Sequence, residues 1–144
     1  MPESGGMSQE NVDIVRRVYD AAARRDAATV LALYDPDVEL DNSPLQVVGW
    51  GAGVHRGHDG LRSFFREWHE AWETIDYEYD YDDLIDAPGE HVISFVTPRG
   101  RGRASGAEVE SSLALVWTIR DGTIVRVVWF PSRGEALQAV GLGE

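Results

Sequence analysis

Asp41 is the first residue whose type and position suggest chemistry. It is the fifth residue of the stretch DVELDNSP, whose first residues alternate between polar and apolar. This alternation predicts a strand over about Val38–Asp41 that enters a half-buried sheet. A carboxyl group at the end of such a strand could act as a general acid or base. The residues DNSP are also typical of a turn in which Asp or Asn bonds its own backbone. Asp41 is therefore either a catalytic acid/base or a structural turn residue.

Two histidines and an aspartate offer a second candidate site. His55, His58 and Asp59 have the spacing of a weak metal motif, but a glycine-flanked loop without cysteine lacks the specificity of a helical HExxH. His58 and Asp59 stand where a helix is predicted to begin, so capping is the simpler interpretation and we expect no metal. His55, just before that helix, is a candidate polar group at a pocket rim and a candidate catalytic donor.

Two absences from the sequence narrow the possible chemistry. The chain has no cysteine, which excludes disulfides, thiolate nucleophiles and thiolate metal sites. It also has no lysine, since all 13 basic residues are arginine. This excludes Schiff-base chemistry, attachment of pyridoxal phosphate and the lysine of a P-loop. No glycine-rich dinucleotide fingerprint follows a predicted strand, so we expect no cofactor.

Charge and hydropathy limit the partners and the location. The net charge of -12 argues against nucleic acid as a partner, because binding phosphate requires a basic face. No apolar run approaches the ~18–20 residues of a membrane span. The first ten residues, MPESGGMSQE, lack the basic region and apolar core of a signal peptide. We expect a cytoplasmic protein with a disordered leader over residues 1–7 and a single domain over residues 8–144.

Three helices are predicted in the first half of the chain. The first runs from its N-cap, Ser8, to Arg25, and the second, AATVLALY, is capped by Asp26 and ended by Asp35-Pro36. Residues 43–57 form a long connection of the kind that tends to be functional or mobile. The third helix covers about Asp59–Glu73. Its apolar stripe consists of Leu61, Phe64, Phe65, Trp68 and Trp72.

The remainder of the chain has the period of two that is typical of strands. The first of these, IDYEYDYDD, has one acidic and one aromatic face. A two-residue hairpin turn at Ser105-Gly106 would place Arg103 opposite Glu108 and Arg101 opposite Glu110 as ion pairs. The glycines within RGRGR would then face the other side, where they permit strong curvature or close approach of a neighbouring backbone.

Five tryptophans provide the remaining signal. Each is first of all a core or dimer-interface residue, and together they indicate that any ligand is apolar and cyclic or aromatic. A two-residue turn at Asp121-Gly122 would place Trp117 and Trp129 on opposite faces of the sheet, and another register would place them together. The sequence leaves this open. The five residues are Trp50, Trp68, Trp72, Trp117 and Trp129.

The order of these elements, which ends in a short helix capped by Ser132, resembles a SnoaL-like protein of the nuclear transport factor 2-like superfamily. The match covers essentially Ser8–Leu142. It is sharpest in RRDAATVLALYDPDVEL, HRGHDGLRSFFREWHEAW, LVWTIRDGTIVRVVWF and SRGEALQAVGL. The resemblance implies an α+β cone: three N-terminal helices packed on a curved, mostly antiparallel sheet that encloses an apolar pocket. It also implies a homodimer formed through the outer face of the sheet.

The resemblance also suggests positions for a catalytic set. The superfamily includes ketosteroid isomerase, polyketide cyclases, limonene epoxide hydrolase and dehydratases. The ketosteroid isomerase pattern places its base at Asp41 or Asn42 and its oxyanion tyrosine one position before Tyr19. A supporting tyrosine falls at Phe65, and the aspartic acid of the oxyanion hole falls around Leu115, where no acid is present. The steroid isomerase interpretation therefore fails, and no Asp-Arg-Asp trio of the epoxide hydrolase type is visible.

Two hypotheses of function remain. The first is a cofactor-independent acid/base enzyme of the isomerase, cyclase, dehydratase or hydrolase type, with Asp41 as base and Tyr19 or His55 as donor. The second is a non-catalytic ligand-binding or dimerisation module of the same fold. In both, the ligand is a small apolar molecule. Its expected contacts are Asn42, Trp50, Phe65, Trp68, Trp72, Leu115, Trp117 and Trp129.

Overall fold

The computed structural model describes residues 2–48, 53–79, 83–87 and 89–142. Its helices are α1 (Pro2–Ala23), α2 (Ala27–Ala32), α3 (Gly57–Glu70) and α4 (Arg133–Ala139), and a 3-10 helix covers Ser43–Val48. Its strands are β1 (Tyr34–Asp41), β2 (Val54–Arg56), β3 (Trp72–Tyr79), β4 (Ile85–Ala87), β5 (His91–Gly102), β6 (Glu108–Glu110), β7 (Leu113–Arg120) and β8 (Thr123–Phe130).

The strands form one sheet in the order β2-β1-β8-β7-β5-β3, and β4 and β6 also pair with β5. Every pairing is antiparallel except that of β1 with β8, which is parallel. Helices and strands are thus segregated along the chain apart from the early strands β1 and β2. The α+β cone expected from the sequence is confirmed.

The sheet has two buried faces of different size. The inner face packs against α1 and α3 and carries the main core, which includes Leu40, Trp117 and Val127. The outer face carries a smaller cluster, in which Ala136 of α4 packs with Ile93 of β5 and with residues of β7. Helix α4 therefore covers part of the face that was expected to form a dimer, and the homodimer stays a prediction.

Local capping chemistry sets the start of α2, as predicted. The carboxylate of Asp26 accepts a hydrogen bond from the backbone N–H of Thr29 at 3.2 Å, which satisfies a donor of the first turn. The predicted stop at Asp35-Pro36 is wrong, because α2 ends at Ala32 and β1 already begins at Tyr34. A proline is tolerated at this position in β1 because it requires no ladder hydrogen bond where the register shifts between Tyr34 and Glu39.

The bounds of α1 and α3 differ from the prediction. Helix α1 begins at Pro2, so Ser8 lies inside it and is not its N-cap. The disordered leader over residues 1–7 stays a prediction. Proline is well suited to a first helical turn, where its missing N–H costs nothing. Helix α3 ends at Glu70, so Trp72 opens β3 and does not belong to the helical stripe.

A β-bulge decides which tryptophans share a face. Asp121 and Gly122 both have positive φ, at 53° and 81°, as in the predicted two-residue turn, and Arg120 pairs with Thr123. The register then shifts between Thr118 and Ile119, which leaves Val125 as an extra residue of β8.

This shift places Trp117 opposite Val127 and Leu115 opposite Trp129. Without the extra residue, Trp117 would lie opposite Arg126. Trp117 and Trp129 consequently share the inner face, and both belong to the main core.

The ion pairs of the RGRGR run are present, but their register is displaced. Arg101 pairs with Glu108 and Arg99 with Glu110, with N–O distances of 3.7 and 3.3 Å. The two-residue turn predicted at Ser105-Gly106 is wrong, because the strands separate after Gly102 and the backbone N–H of Gly106 bonds the carbonyl of Gly102 at 2.8 Å.

Because this loop is longer than two residues, Arg103 does not lie opposite Glu108 as predicted and contacts other groups. Its guanidinium donates to the carbonyl oxygens of Glu70 at 3.0 Å and Trp72 at 3.1 Å, and its backbone N–H donates to Ala71 O at 2.9 Å. These carbonyls lie where α3 ends and would otherwise need water or another cap. Arg103 thereby ties the β5–β6 loop to the junction between α3 and β3.

We expect Arg103→Ala to lower the free energy of unfolding by about 1–2 kcal/mol, because two carbonyl acceptors lose a charged donor. Arg101→Ala is the matched control, since it removes a surface ion pair of small value. Urea denaturation of both variants measures the difference. Equal losses in the two variants would contradict the capping contribution of Arg103.

Candidate functional site

The candidate site lies on the inner face, where β1, β2 and β8 meet α3. Leu40 of β1 pairs with His55 of β2, so both side chains face inward beside Val127 of β8. The apolar side of α3 supplies Phe64 and Trp68, both buried. A strand edge carrying one histidine is thus set against a helix face made of aromatic rings.

Four aromatic rings form a continuous cluster at this position. Phe64 contacts Trp129 edge-to-face, with ring centroids 5.2 Å apart, and it stacks on Trp68 with ring centroids 6.0 Å apart. Trp68 in turn contacts Trp129 at 5.6 Å and Trp72 at 5.7 Å. We call Phe64, Trp68, Trp72 and Trp129 the aromatic cluster. Such edge-to-face contacts are favourable beyond the apolar area that they bury.

His55 borders the aromatic cluster. Its ring centroid lies 5.0 Å from that of Phe64, with the two planes tilted by 50°. Its Nε2 atom is buried and has no hydrogen-bond partner among the described residues. A buried polar atom without a partner is costly, by about 1–3 kcal/mol, and calls for an explanation. The sequence predicted His55 as a polar group of a pocket, and the structure brings it to the inner face.

Asp41 is directed differently from His55. It pairs with Val128, which places its side chain on the outer face, opposite to Leu40. One carboxylate oxygen accepts a hydrogen bond from the backbone N–H of Ser43 at 2.9 Å, and the other lies 3.7 Å from a guanidinium nitrogen of Arg126. The bond to Ser43 is the turn geometry that DNSP predicts. The base function of Asp41 stays a prediction.

Asn42 fixes both ends of the connection that follows β1. Its side-chain oxygen accepts a hydrogen bond from Gly53 N–H at 2.9 Å, and its backbone N–H donates to Gly53 O at 3.0 Å. Its own carbonyl accepts from Leu45 N–H at 3.0 Å. Asn42 is fully buried, so these bonds hold the two ends of the long connection together beside the site.

A second buried polar group lies between α1 and the sheet. Ser94 of β5 is fully buried, and its hydroxyl is bonded by the hydroxyl of Tyr19 and by the indole N–H of Trp117, the latter at 2.7 Å. Tyr19 also contacts Trp117 edge-to-face at 6.2 Å. The structure therefore brings Tyr19 and Trp117 together through Ser94, whereas His55 borders the aromatic cluster.

Ser94 was missed in the sequence, although a signal for it was present. It alternates with Val92 and Val96, so the period of two places all three on the same buried face. A lone hydroxyl on a buried strand face needs a partner, and that requirement identifies it as part of a polar network.

The remaining predicted contacts are distributed over the inner face. Leu115 is buried in the main core, and Phe65 is half-buried against it, 5.1 Å from Phe64. Trp72 belongs to the aromatic cluster although it lies on β3 and not on α3. Trp50 lies outside the described residues.

Tyr77 is a further residue that the sequence did not single out for the site. Trp68 Nε1 donates to its hydroxyl oxygen at 2.8 Å, and His69 Nε2 lies 3.4 Å from the same atom. Burial raises the pKa of Tyr77 to about 12, because it disfavours the charged phenolate. Tyr77 thus anchors the indole of Trp68 at the outer end of the aromatic cluster.

The raised pKa of Tyr77 predicts a loss of stability in alkali. The unfolded chain releases this proton near pH 10, whereas the folded protein keeps it up to about pH 12. The unfolded state therefore binds fewer protons in this window, and stability falls as pH rises from 10 to 12. We expect Tyr77→Phe to show a shallower fall when unfolding free energies are measured by urea denaturation across this range. An identical pH dependence in both proteins would contradict a buried, protonated Tyr77.

Two further features of the described residues concern metal ions and membranes. Within them, no group of three or more histidine or carboxylate side chains could hold a metal ion. None of the helices in the described ranges is long and apolar enough to cross a membrane.

Comparison with solved structures supports the fold. A nuclear transport factor 2-like protein of unknown function from Burkholderia pseudomallei is 26% identical over 92% of this chain and 98% of its own, with a TM-score of 0.71. A second, from Burkholderia thailandensis, is 29% identical over 89% of this chain and 97% of its own, also with a TM-score of 0.71. TerC, co-crystallised with polyporic acid, is 22% identical over 91% of this chain and 97% of its own, with a TM-score of 0.70.

Comparison with sequences identifies the family. A search of curated proteins gave no match. The model of the SnoaL-like domain matches residues 15–127, which include the sheet strands β1 to β7, helix α3 and most of β8. The chain therefore belongs to the SnoaL-like domain family.

Proposed function

We propose that the aromatic cluster and His55 form a binding site for a small cyclic or aromatic organic molecule. The observation that carries the proposal is the buried Nε2 atom of His55, which has no hydrogen-bond partner among the described residues. A ligand with one polar group would satisfy this atom and would bury its apolar body against the rings. Pockets of this composition, mostly apolar with a few polar atoms, are typical of small-molecule sites.

The geometry of the rings favours a flat ligand. Phe64, Trp68 and Trp129 present edges and faces to one another at centroid distances of 5.2–6.0 Å. A planar ligand that entered between His55 and these rings would replace ring–ring contacts with similar contacts of its own. Binding should therefore change the environment of two indoles and be visible in their fluorescence.

Acid/base chemistry without a cofactor is the activity that this site would support. A histidine changes its protonation near neutral pH and is a common general acid or base. His55 is better placed for this task than Asp41, whose carboxylate is bonded by Ser43 on the outer face. The hydroxyl of Tyr19 is bonded to Ser94, so a proton-donating function of Tyr19 would require a ligand near that network.

Binding without turnover is the alternative function, and the geometry of Asp41 favours it. If Asp41 is a turn residue only, His55 has no second acid or base beside it among the described residues of the site. A histidine alone orients a ligand more readily than it completes a proton-transfer cycle. TerC, which shares the fold and was co-crystallised with polyporic acid, makes an aromatic occupant of this fold reasonable.

A tryptophan-fluorescence titration tests the proposal. The wild type, His55→Phe and the matched control His91→Phe are titrated with apolar ketones, epoxides, phenols and polycyclic aromatic compounds. His91 contacts Thr118, which lies opposite Arg126 on the outer face, away from the aromatic cluster. We expect saturable quenching by at least one class in the wild type and in the control, and a roughly tenfold weaker affinity in His55→Phe, which corresponds to ~1.4 kcal/mol. Absence of quenching by every class would contradict the proposal.

The same titration of Asp41→Asn separates the two hypotheses of function. A binding module is supported if Asp41→Asn binds its ligands with the affinity of the wild type and the wild type does not turn over its tightest ligand. Turnover that is lost in Asp41→Asn would restore Asp41 as the base, and turnover lost only in His55→Phe would assign proton transfer to His55.

A further inference from the structure

We infer that the site prefers ligands that donate a hydrogen bond to His55, such as phenols and enols, over ligands that only accept one, such as ketones, ethers and epoxides. The inference rests on the proposed function, and it names the chemical class that the site would take.

The two ring nitrogens of His55 differ in their surroundings. Nε2 is buried on the inner face and has no hydrogen-bond partner among the described residues. The same combination of burial and a missing partner is not found at Nδ1. A neutral imidazole carries one proton, and the other nitrogen is an acceptor. We take that proton to be on Nδ1. Nε2 is then a buried acceptor that lacks a donor.

Charged side chains on the same strands do not supply that donor. Arg56, the next residue, pairs with Glu39 and its guanidinium lies 3.6 Å from that carboxylate. Residues 55 and 56 point to opposite faces of β2, so the Arg56–Glu39 pair lies on the outer face. Arg126 likewise contacts Glu39 and Asp41 on the outer face. The guanidinium groups of Arg56 and Arg126 are thus separated from Nε2 by the sheet itself.

Phe64 and two indoles of the inner face do not supply the donor either. Phe64, whose ring lies 5.0 Å from His55, contributes no donor. The indole N–H of Trp68 donates to Tyr77, and that of Trp117 donates to Ser94. A buried acceptor in such surroundings discriminates strongly between ligands with and without a donor. A ligand without a donor leaves Nε2 without a hydrogen bond, and its own oxygen atom also loses water without gaining a partner.

A matched pair of ligands tests the inference. 2-Naphthol and 2-methoxynaphthalene share the same flat body, and only the first has an O–H donor. Ligand-observed NMR titrations measure the affinity of both for the wild type, His55→Phe and His91→Phe, each checked for folding by circular dichroism. We expect 2-naphthol to bind the wild type and His91→Phe roughly five- to tenfold more tightly than the ether. In His55→Phe the preference should disappear, with the affinity for the ether retained.

The outcomes distinguish this inference from the proposed function. Equal affinities of the wild type for the two ligands, or tighter binding of the ether, would overturn the donor preference and leave the aromatic site standing. A preference for naphthol that persists in His55→Phe would show that another group makes the selection. Binding of neither ligand would overturn both the proposed site and the inference. If His55→Phe does not fold, the comparison of the two ligands on the wild type decides the donor preference.

Discussion

Gly100→Ala is expected to lower the free energy of unfolding by about 2–3 kcal/mol, the upper part of the range for inserting one methyl group into a packed site. A Cβ atom at Gly100 would lie 2.2 Å from the carbonyl oxygen of Thr74 and 3.1 Å from Cα of Ile75. Both are backbone atoms of β3, which cannot rotate away as a side chain can. The pairing of β3 with β5 already contains a register shift beside this contact, between Trp72 and Thr74. The methyl group would therefore have to separate the two strands.

Gly134→Ala is the matched control for this substitution. A Cβ atom at Gly134 meets no other atom within 4 Å, and the residue lies in α4. Alanine is the better helix former, so this variant should be unchanged or more stable by up to about 1 kcal/mol. Urea or thermal denaturation of both variants provides the measurement. A Gly100→Ala protein as stable as the wild type would show that the strands can separate at little cost.

Ser94→Ala is expected to lower the free energy of unfolding by about 1–3 kcal/mol, although it removes a single oxygen atom. That oxygen is bonded by the indole N–H of Trp117 and by the hydroxyl of Tyr19, and Ser94 is fully buried. The indole N–H would lose its acceptor in a place that water does not reach. The loss of stability comes from the indole N–H of Trp117, which is left without an acceptor. The cavity left by one oxygen atom contributes very little to it.

A double-mutant cycle checks this explanation. Trp117→Phe removes the indole donor, so Ser94→Ala should cost less in the Trp117→Phe background than in the wild type. Ser112→Ala, at an exposed position between β6 and β7, should change stability by no more than about 0.5 kcal/mol. Costs of Ser94→Ala that are equal in both backgrounds would contradict a hydrogen bond between Ser94 and Trp117 as the cause.

Features of the fold that depend on a few neighbouring residues were predictable from the sequence. Asp26 and Ser132 cap their helices as the local pattern predicts, and Asp121-Gly122 forms the predicted turn. In each case the deciding interaction spans two or three residues, so the sequence contains both partners. The order of helices and strands, and with it the family, could also be read because each element has its own hydrophobic period.

Features that depend on distant partners were not predictable. The bulge at Val125, which brings Trp129 to the inner face, follows from how β7 and β8 fit the curved sheet, and no local signal marks it. Arg103 looked like a strand residue, yet its partners are the carbonyls of Glu70 and Trp72, more than thirty positions away.

The candidate site also combines features that the local sequence predicts with features that depend on distant partners. His55 was recognised by its residue type, but that its Nε2 atom lacks a partner could be seen only when the inner face was assembled. For Asp41, the turn geometry that DNSP predicts is present, whereas the strand face to which its side chain points depends on the pairing of β1 with β8.

The parallel pairing of β1 with β8 also bears on how the protein is made. Leu40 and Asp41 pair with Val127 and Val128, so the long neighbour of β1 is synthesised almost ninety residues after it. Until then, the three-residue β2 is the only one of the described strands that pairs with β1. A nascent chain on the ribosome would therefore expose the apolar residues of β1 and α3 for several seconds, at translation rates of ~5–20 residues per second. Chaperone binding should be concentrated on chains in which β8 is not yet free to pair, and should end once β8 pairs with β1.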